Sequence, residues 1–226
     1  MSLSCSEYAG KTSFFEYGEK ETEYLRERDA VLRRYIDIIG HVYRRTDSDV
    51  FSSLIFNIAG QQISSKAFET VRARMRSELC EVTPQEVLRA GEENLRKCGL
   101  SGKKASWIMD VAKKTYSGEL DIAQLGQMSD DQVLKTLTAL SGVGRWTAEM
   151  VMLFCLCRMD ILSTSDYGIK AGITAAYGLK NPSYEDFRYL KSLYSPYGSV
   201  ASLYLWEIAS GKYGILSEED ARCDED

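Results

Sequence analysis

Apolar residues recur at helical spacing along most of this chain, and only three of its 226 residues are proline. Residues 131–140, for example, place Val133, Leu134, Leu137 and Leu140 at helical spacing rather than in strand alternation. Proline interrupts helices, so its scarcity supports the same interpretation. The sequence therefore predicts an all-α protein.

The predicted helices are bounded by residues that commonly begin or end helices. Ser64, Ser101, Ser183 and Ser199 are suited to N-caps, and Gly99 and Gly178 to helix ends. The pattern predicts helices near 21–43, 48–60, 64–80, 84–90, 102–117, 130–140, 145–157, 168–178, 184–194 and 199–210.

The net charge of −5 is concentrated in the last ten residues. This tail, 217–226, carries six acidic residues and one basic residue, which leaves 27 basic and 27 acidic residues in the rest of the chain. A body without net charge can still carry a basic face, so a nucleic-acid partner stays possible. No apolar run approaches the length of a membrane span and no leader opens the chain, so we expect a cytoplasmic protein without a membrane partner.

The histidine and cysteine content excludes several kinds of catalytic or metal site. The one histidine, His41, lies among arginines and apolar residues, which argues against a Ser/His/Asp triad. The six cysteines form no C-x-x-C pair and no close cluster of four, so neither a zinc site nor an iron–sulfur cluster is indicated.

A glycine turn separates two predicted helices at Leu140–Thr147, which reads LSGVGRWT. Gly142 and Gly144 allow a tight turn with exposed N–H groups. A dinucleotide-binding loop is unsuitable, because the preceding element is helical and Thr147 stands at the third-glycine position. The amides and the following helix N-terminus could bind a phosphate, whereas the alternative is an ordinary helix–helix turn.

Two other local patterns combine polar side chains with helix ends. Asp166 follows Ser163, Thr164 and Ser165 and precedes a helical apolar pattern, so it is expected at a helix N-terminus, where the dipole favours a carboxylate. It could be simply an N-cap. Gln62 lies in the turn of Ala59–Ser65, where an amide could cap a helix or enter a DNA base stack.

Together these patterns resemble the helix-hairpin-helix DNA glycosylase superfamily, most closely its 3-methyladenine DNA glycosylase II branch. The resemblance covers roughly residues 25 to 210. It rests on five segments in order: Ile58–Ser64, Gly99–Ala105, Leu140–Ala148, Leu162–Lys170 and Pro196–Trp206.

The resemblance implies a two-lobed all-α fold with the active cleft between the lobes. Residues 1–47 would hold an N-terminal helix packing with the C-terminal lobe. Residues 48–160 would form the central lobe with the hairpin, 161–216 the C-terminal lobe with the catalytic aspartate, and 217–226 a disordered tail.

The same resemblance implies roles for individual residues. Asp166 would be catalytic, Gln62 would fill the gap left by a flipped base, and Trp146, Met150, Tyr167 and Trp206 would form the base pocket. DNA phosphates would be bound by Gly142, Gly144, Arg145, Thr147, Lys103, Lys104 and Lys170. The carbonyls of Thr138, Leu140 and Val143 would hold a structural Na⁺ or K⁺, and no other cofactor is expected.

One departure from the superfamily pattern indicates the reaction. Members that cut the DNA strand carry a lysine after the hairpin glycines, and this chain has Trp146 there. With this departure, the resemblance implies a monomeric, monofunctional glycosylase that hydrolyses alkylated purines from damaged double-stranded DNA. A non-catalytic helix-hairpin-helix DNA-binding module and a monofunctional glycosylase for another damaged base stay as alternatives.

Overall fold

The computed structural model describes residues 13–47, 49–179 and 181–213. In these ranges regular structure is almost entirely helical, apart from an isolated antiparallel bridge between Phe14 and Arg45. The all-α prediction is confirmed. The helices are α1 (Glu19–Arg28), α2 (Ala30–Ile39), α3 (Val50–Gly60), α4 (Ser65–Leu79), α5 (Pro84–Lys97), α6 (Gly102–Ser117), α7 (Asp130–Thr138), α8 (Arg145–Phe154), α9 (Tyr167–Tyr177), α10 (Tyr184–Tyr194) and α11 (Gly198–Ala209). A 3-10 helix over Ala123–Gln127, which the sequence pattern did not predict, precedes α7.

The single helix predicted over 21–43 is two helices in the structure. Asp29 has extended backbone angles, and its carboxylate accepts hydrogen bonds from the amides of Val31 and Leu32, each at 2.9 Å. A side chain that accepts from these amides begins a new helix rather than continuing the preceding one. The apolar periodicity continues through this break, so periodicity alone did not reveal it.

The helix predicted over 84–90 is longer than expected. It extends to Lys97 as α5, with a kink at Gly91, where φ is +73°. Glycine adopts this angle without a Cβ penalty, so the chain bends and the helix resumes. The disorder predicted for 217–226 concerns residues outside the described ranges.

The helices pack in two groups. Helices α3 to α8 contact one another, whereas α1 and α2 pack against the group formed by α9, α10 and α11. Helices α9 and α11 are especially close at Gly172, where a Cβ would lie 2.1 Å from the carbonyl oxygen of Leu205. In the described ranges no helix is both long and apolar enough to cross a membrane.

The segment between α8 and α9 is anchored to both groups. Arg158 donates hydrogen bonds to carbonyls around the 3-10 helix, including that of Leu125 at 2.9 Å. The amide of Ile161 donates to Ser199 at 2.9 Å, and Ser202 donates back to the Ile161 carbonyl at 2.8 Å. These contacts hold the segment that ends at Asp166.

Candidate active site

Asp166 is the N-cap of α9 and lies where the two helix groups meet. Its Oδ1 accepts hydrogen bonds from the amide of Ile169 and from the Trp206 indole, both at 2.8 Å. Its Oδ2 accepts from the Trp146 indole at 2.7 Å. Trp146 belongs to α8 and Trp206 to α11, so each helix group supplies one indole donor.

This arrangement orients a buried carboxylate. Asp166 is only 6 % exposed, and burial of such a group is costly unless hydrogen bonds compensate. Three N–H donors from different parts of the chain fix both oxygens, and an indole can only donate. The result is a negative charge held in one orientation at the edge of a cavity.

The cavity beside Asp166 has a volume of about 350 Å³. Of the predicted pocket residues, Trp146, Met150 and Trp206 line it together with Asp166. Tyr167 does not, because its side chain is 85 % exposed at the start of α9. Four residues that were not predicted complete the lining: Arg44, Ser53, Asn57 and Phe154.

Helical spacing in the sequence could have identified some of these four lining residues. Phe154 follows Met150 by one helical turn, and its ring stacks on Trp206 with centroids 5.6 Å apart. Ser53 and Asn57 are also one turn apart and form a polar pair on the largely apolar helix α3. Arg44 lies in an irregular segment, where no periodicity could indicate its direction.

The turn that carries Gln62 contacts the glycine hairpin. Gln62 is exposed and has a φ of +55°, unusual for a residue with a side chain. The neighbouring Gln61 donates from Nε2 to the carbonyl of Gly142 at 2.8 Å. Gln62 borders a second cavity, of about 450 Å³, which shares Ser53, Asn57 and Trp146 with the first. The exposed amide of Gln62 is thus held beside the cleft.

Lys104 supports this turn instead of pointing to the solvent. Its ammonium donates to the carbonyl of Ala59 at 2.9 Å and to that of Gln61, at the end of α3. Burial lowers the pKa of Lys104. Lys104 thus holds the Gln61–Gln62 turn, and the phosphate-binding role predicted for it stays a prediction.

The two hairpin glycines differ in what the fold requires of them. Gly142 has a φ of +80°, and a Cβ there would lie 2.4 Å from Cε3 of Trp107. Gly144 has an ordinary φ of −83°, and a Cβ there would meet nothing within 4 Å. The fold itself therefore explains Gly142, while the space at Gly144 is open to solvent or to a ligand.

The remaining predicted phosphate-binding residues differ in their accessibility. Arg145 has a side chain that is 58 % exposed, although its Nε is paired with Glu149 at 2.7 Å. Lys103 is exposed, with its ammonium 4.9 Å from the Trp107 ring centroid, and Lys170 is exposed on α9. Thr147 is only 3 % exposed, so its hydroxyl does not face solvent.

The carbonyl groups predicted to hold a cation are at the end of α7 and in the hairpin. The Leu140 carbonyl accepts a hydrogen bond from the Val143 amide at 3.2 Å, which closes the turn. Among the described residues, no backbone amide donates to the carbonyls of Thr138 or Val143. Carbonyl oxygens that accept no backbone hydrogen bond are suitable ligands for an alkali-metal ion.

Comparison with known proteins identifies relatives of the whole helical region. DNA-3-methyladenine glycosylase 1 of Schizosaccharomyces pombe is 28 % identical over 193 residues, covering 81 % of this chain and 84 % of that protein. A crystal structure of a DNA-3-methyladenine glycosidase from Bacillus halodurans is 34 % identical, with a TM-score of 0.78 over 87 % of this chain and 92 % of that one.

A further solved structure contains DNA. The S. pombe 3-methyladenine DNA glycosylase, in complex with abasic DNA, is 26 % identical and superposes with a TM-score of 0.76 over 88 % of this chain and 100 % of that one. The family model described as "HhH-GPD superfamily base excision DNA repair protein" matches residues 55–195. These findings confirm the resemblance inferred from the motifs: the chain belongs to the HhH-GPD superfamily of base excision DNA repair proteins.

Proposed function

We propose that this protein is a monofunctional DNA glycosylase that hydrolyses the N-glycosidic bond of alkylated purines in duplex DNA. The observation that carries the proposal is the Asp166 carboxylate, fixed by two indole N–H groups at the edge of an aromatic cavity. A base cannot reach a buried carboxylate from within the duplex, so the nucleotide must first be extruded. Gln62, exposed beside the cleft, would fill the gap.

The chemistry requires stabilisation of positive charge on the sugar. As the N-glycosidic bond breaks, the departing base takes the electron pair and the sugar gains oxocarbenium character. A fixed carboxylate next to the sugar stabilises that charge and can orient the attacking water. N-alkylation makes the purine a better leaving group, so a strong general acid is not needed. This agrees with the absence of a histidine from the described lining.

Hydrolysis without strand cleavage follows from the residue at position 146. A strand-cutting glycosylase needs an amine that forms a Schiff base with the sugar. Here Trp146 occupies the place of that lysine, and its indole N–H is committed to Asp166. Among the described residues, the cavity lining contains no lysine. We expect an abasic site as the product.

Two accompanying properties are part of the proposal. A Na⁺ or K⁺ at the Thr138, Leu140 and Val143 carbonyls would stiffen the hairpin and raise affinity for abasic-site DNA. Replacing K⁺ with tetramethylammonium at constant ionic strength should therefore weaken that affinity. A monomer is expected to suffice, because one chain supplies both indole donors to Asp166.

The decisive experiment is base release by Asp166→Asn. Asparagine is also a good N-cap, so the helix should be retained while the negative charge is lost. We expect release of methylated purines to be abolished, with binding to abasic-site DNA retained. Asp131→Asn, at an exposed position of α7, is the matched control. A non-catalytic DNA-binding module would show no base release even as wild type, and undiminished release by Asp166→Asn would contradict the assignment of Asp166.

A further inference from the structure

Arg44 approaches the cavity from the segment that joins α2 to α3. Its carbonyl accepts a hydrogen bond from the Phe15 amide at 2.8 Å, and the amide of Asp47 donates to the Phe154 carbonyl at 2.9 Å. These bonds hold the segment across the end of α8. The guanidinium carbon of Arg44 lies 5.6 Å from the Trp206 ring centroid and 6.0 Å from that of Phe154.

The guanidinium brings a fixed positive charge and several hydrogen-bond donors into the cavity lining. Within the described residues no carboxylate forms an ion pair with Arg44, so its donors are available to a ligand. It also occupies the neighbourhood of the aromatic faces that would otherwise attract a cation. A positively charged base therefore meets a like charge here, whereas a neutral base with an acceptor meets donors.

Asn57 adds an acceptor to the same cavity. Its Nδ2 donates to the carbonyl of Ser53 at 2.9 Å and to the hydroxyl of Ser53 at 3.3 Å. This fixes the amide, and its Oδ1 receives no hydrogen bond from the described residues. The cavity thus offers donors from Arg44 and an acceptor from Asn57.

This set of groups distinguishes two kinds of purine. A 6-oxopurine presents a carbonyl acceptor at C6 next to an N1–H donor, whereas a 6-aminopurine reverses both. Arg44 is exposed at the rim of the cavity. Arginine pairs with the O6 and N7 acceptors of a purine, whereas an amino group at C6 finds no acceptor in a guanidinium. This lining can therefore distinguish a hydrogen-bond acceptor from a donor at C6 of the purine.

We propose that Arg44 is a specificity-determining residue that favours extruded purines with a carbonyl at C6 over those with an amino group, with Asn57 accepting from N1–H. The inference rests on the proposed glycosylase function and concerns the relative rates at which the cavity releases different purine lesions. A good bidentate arginine–base pair corresponds to discrimination of about 10- to 100-fold.

The test compares single-turnover base release by wild type and Arg44→Met from three lesions. Hypoxanthine is neutral and has a carbonyl at C6. When attached to the sugar, 7-methylguanine is cationic and has a carbonyl at C6, whereas 3-methyladenine is cationic and has an amino group at C6. Methionine keeps an apolar stem in the cavity. We expect the ratio of the hypoxanthine to the 3-methyladenine rate constant to fall about 10- to 100-fold in Arg44→Met. The ratio of the 7-methylguanine to the 3-methyladenine rate constant should fall less. The methyl group on N7 of 7-methylguanine prevents arginine from pairing with N7 as well as O6.

Two controls separate the alternatives. Arg188→Met, on the exposed face of α10, should leave every ratio unchanged. Arg44→Lys keeps the positive charge but lacks the planar guanidinium that can donate two parallel hydrogen bonds. If these hydrogen bonds rather than the charge are responsible, the ratio of the hypoxanthine to the 3-methyladenine rate constant should fall in this variant as well.

An unchanged ratio in Arg44→Met, whether all rates fall together or none falls, overturns the proposal. A uniform fall with weaker binding of abasic-site DNA, and a salt slope lower by about one, would instead identify a phosphate contact. If the wild-type protein releases neither methylated base, the proposed alkylpurine function fails; if it also releases no hypoxanthine, this inference fails with it.

Discussion

Gly168 and Trp206 are in contact at a point where only a hydrogen atom fits between them. A Cβ at Gly168 would lie 2.6 Å from Cδ1 of the Trp206 indole and 3.0 Å from its Nε1. The same Nε1 donates to Asp166. Gly168 therefore limits where the indole lies, and through it the orientation of the Asp166 carboxylate.

We predict that Gly168→Ala displaces the indole and breaks its hydrogen bond to Asp166. A misplacement of about 1 Å in a catalytic constellation can cost about 100-fold in rate, so single-turnover release of methylated bases should fall by that order. Gly126→Ala is the control, since a Cβ there meets nothing within 4 Å. Equal rates for the two variants would show that the indole can move without consequence.

The hairpin glycines offer a paired test of fold and binding. Gly142→Ala would force a positive φ and a clash with Trp107, so both the melting temperature and the affinity for abasic-site DNA should fall. Gly144→Ala should leave the melting temperature within about 2 °C, because its Cβ meets open space. Its DNA affinity should still fall if a phosphate approaches the hairpin there. Unchanged affinity in Gly144→Ala would remove Gly144 from the DNA interface.

Glu149 connects the hairpin helix to the segment that carries Asp166. It is 5 % exposed, and it accepts from Arg145 Nε on one oxygen and from the Ser163 hydroxyl on the other. We predict that Glu149→Gln lowers the free energy of unfolding by about 1–3 kcal/mol, the value of a hydrogen bond to a charged group. Because Ser163 lies three residues before Asp166, base release should slow more than abasic-DNA binding weakens.

Glu185→Gln is the matched control for Glu149, because its side chain is 84 % exposed in a weak surface pair with Arg188. Denaturant unfolding gives the stability, and the ratio of release rate to DNA affinity distinguishes positioning of Asp166 from general destabilisation. An unchanged ratio in Glu149→Gln would mean that the buried bridge does not orient the catalytic segment.

Asp29 stabilises the fold at a distance from the site. One carboxylate oxygen caps α2, and the other lies within hydrogen-bond distance of the hydroxyls of Tyr177 and Tyr194, whose two protons are shared among the three oxygens. Burial strongly raises the pKa of both tyrosines, so they act as protonated donors. Asp29→Ala removes the cap and leaves one of the two hydroxyls without an acceptor, and we predict a loss of about 3 kcal/mol in unfolding free energy.

The control for Asp29 is Asp37→Ala, which removes a half-exposed partner of Arg26 and should cost less than about 1 kcal/mol. Base release by Asp29→Ala, measured below its melting temperature, should match that of wild type because Asp29 lies outside the cavity lining. A stability loss no larger than that of Asp37→Ala would show that the tyrosine hydroxyls find other partners.

Local patterns were sufficient to predict most helices and the N-cap position of Asp166. Helical periodicity and capping residues act over a few positions, so they can be read from neighbours along the chain. They failed at Asp29 and Gly91, where one residue changes the backbone within an apolar pattern that continues on both sides.

The sequence by itself determined the all-α class, the hairpin glycines and the residue types of the site: one carboxylate, two tryptophans and no lysine after the hairpin. Only the tertiary structure decided how they meet. Trp146 and Trp206 reach Asp166 from positions 20 and 40 residues away, on different helix groups. Packing of whole helices also turned Tyr167 to solvent, brought Lys104 to the turn after α3 and placed Arg44 in the cavity lining. Such contacts depend on the relative placement of whole helices, which periodicity within a helix does not specify.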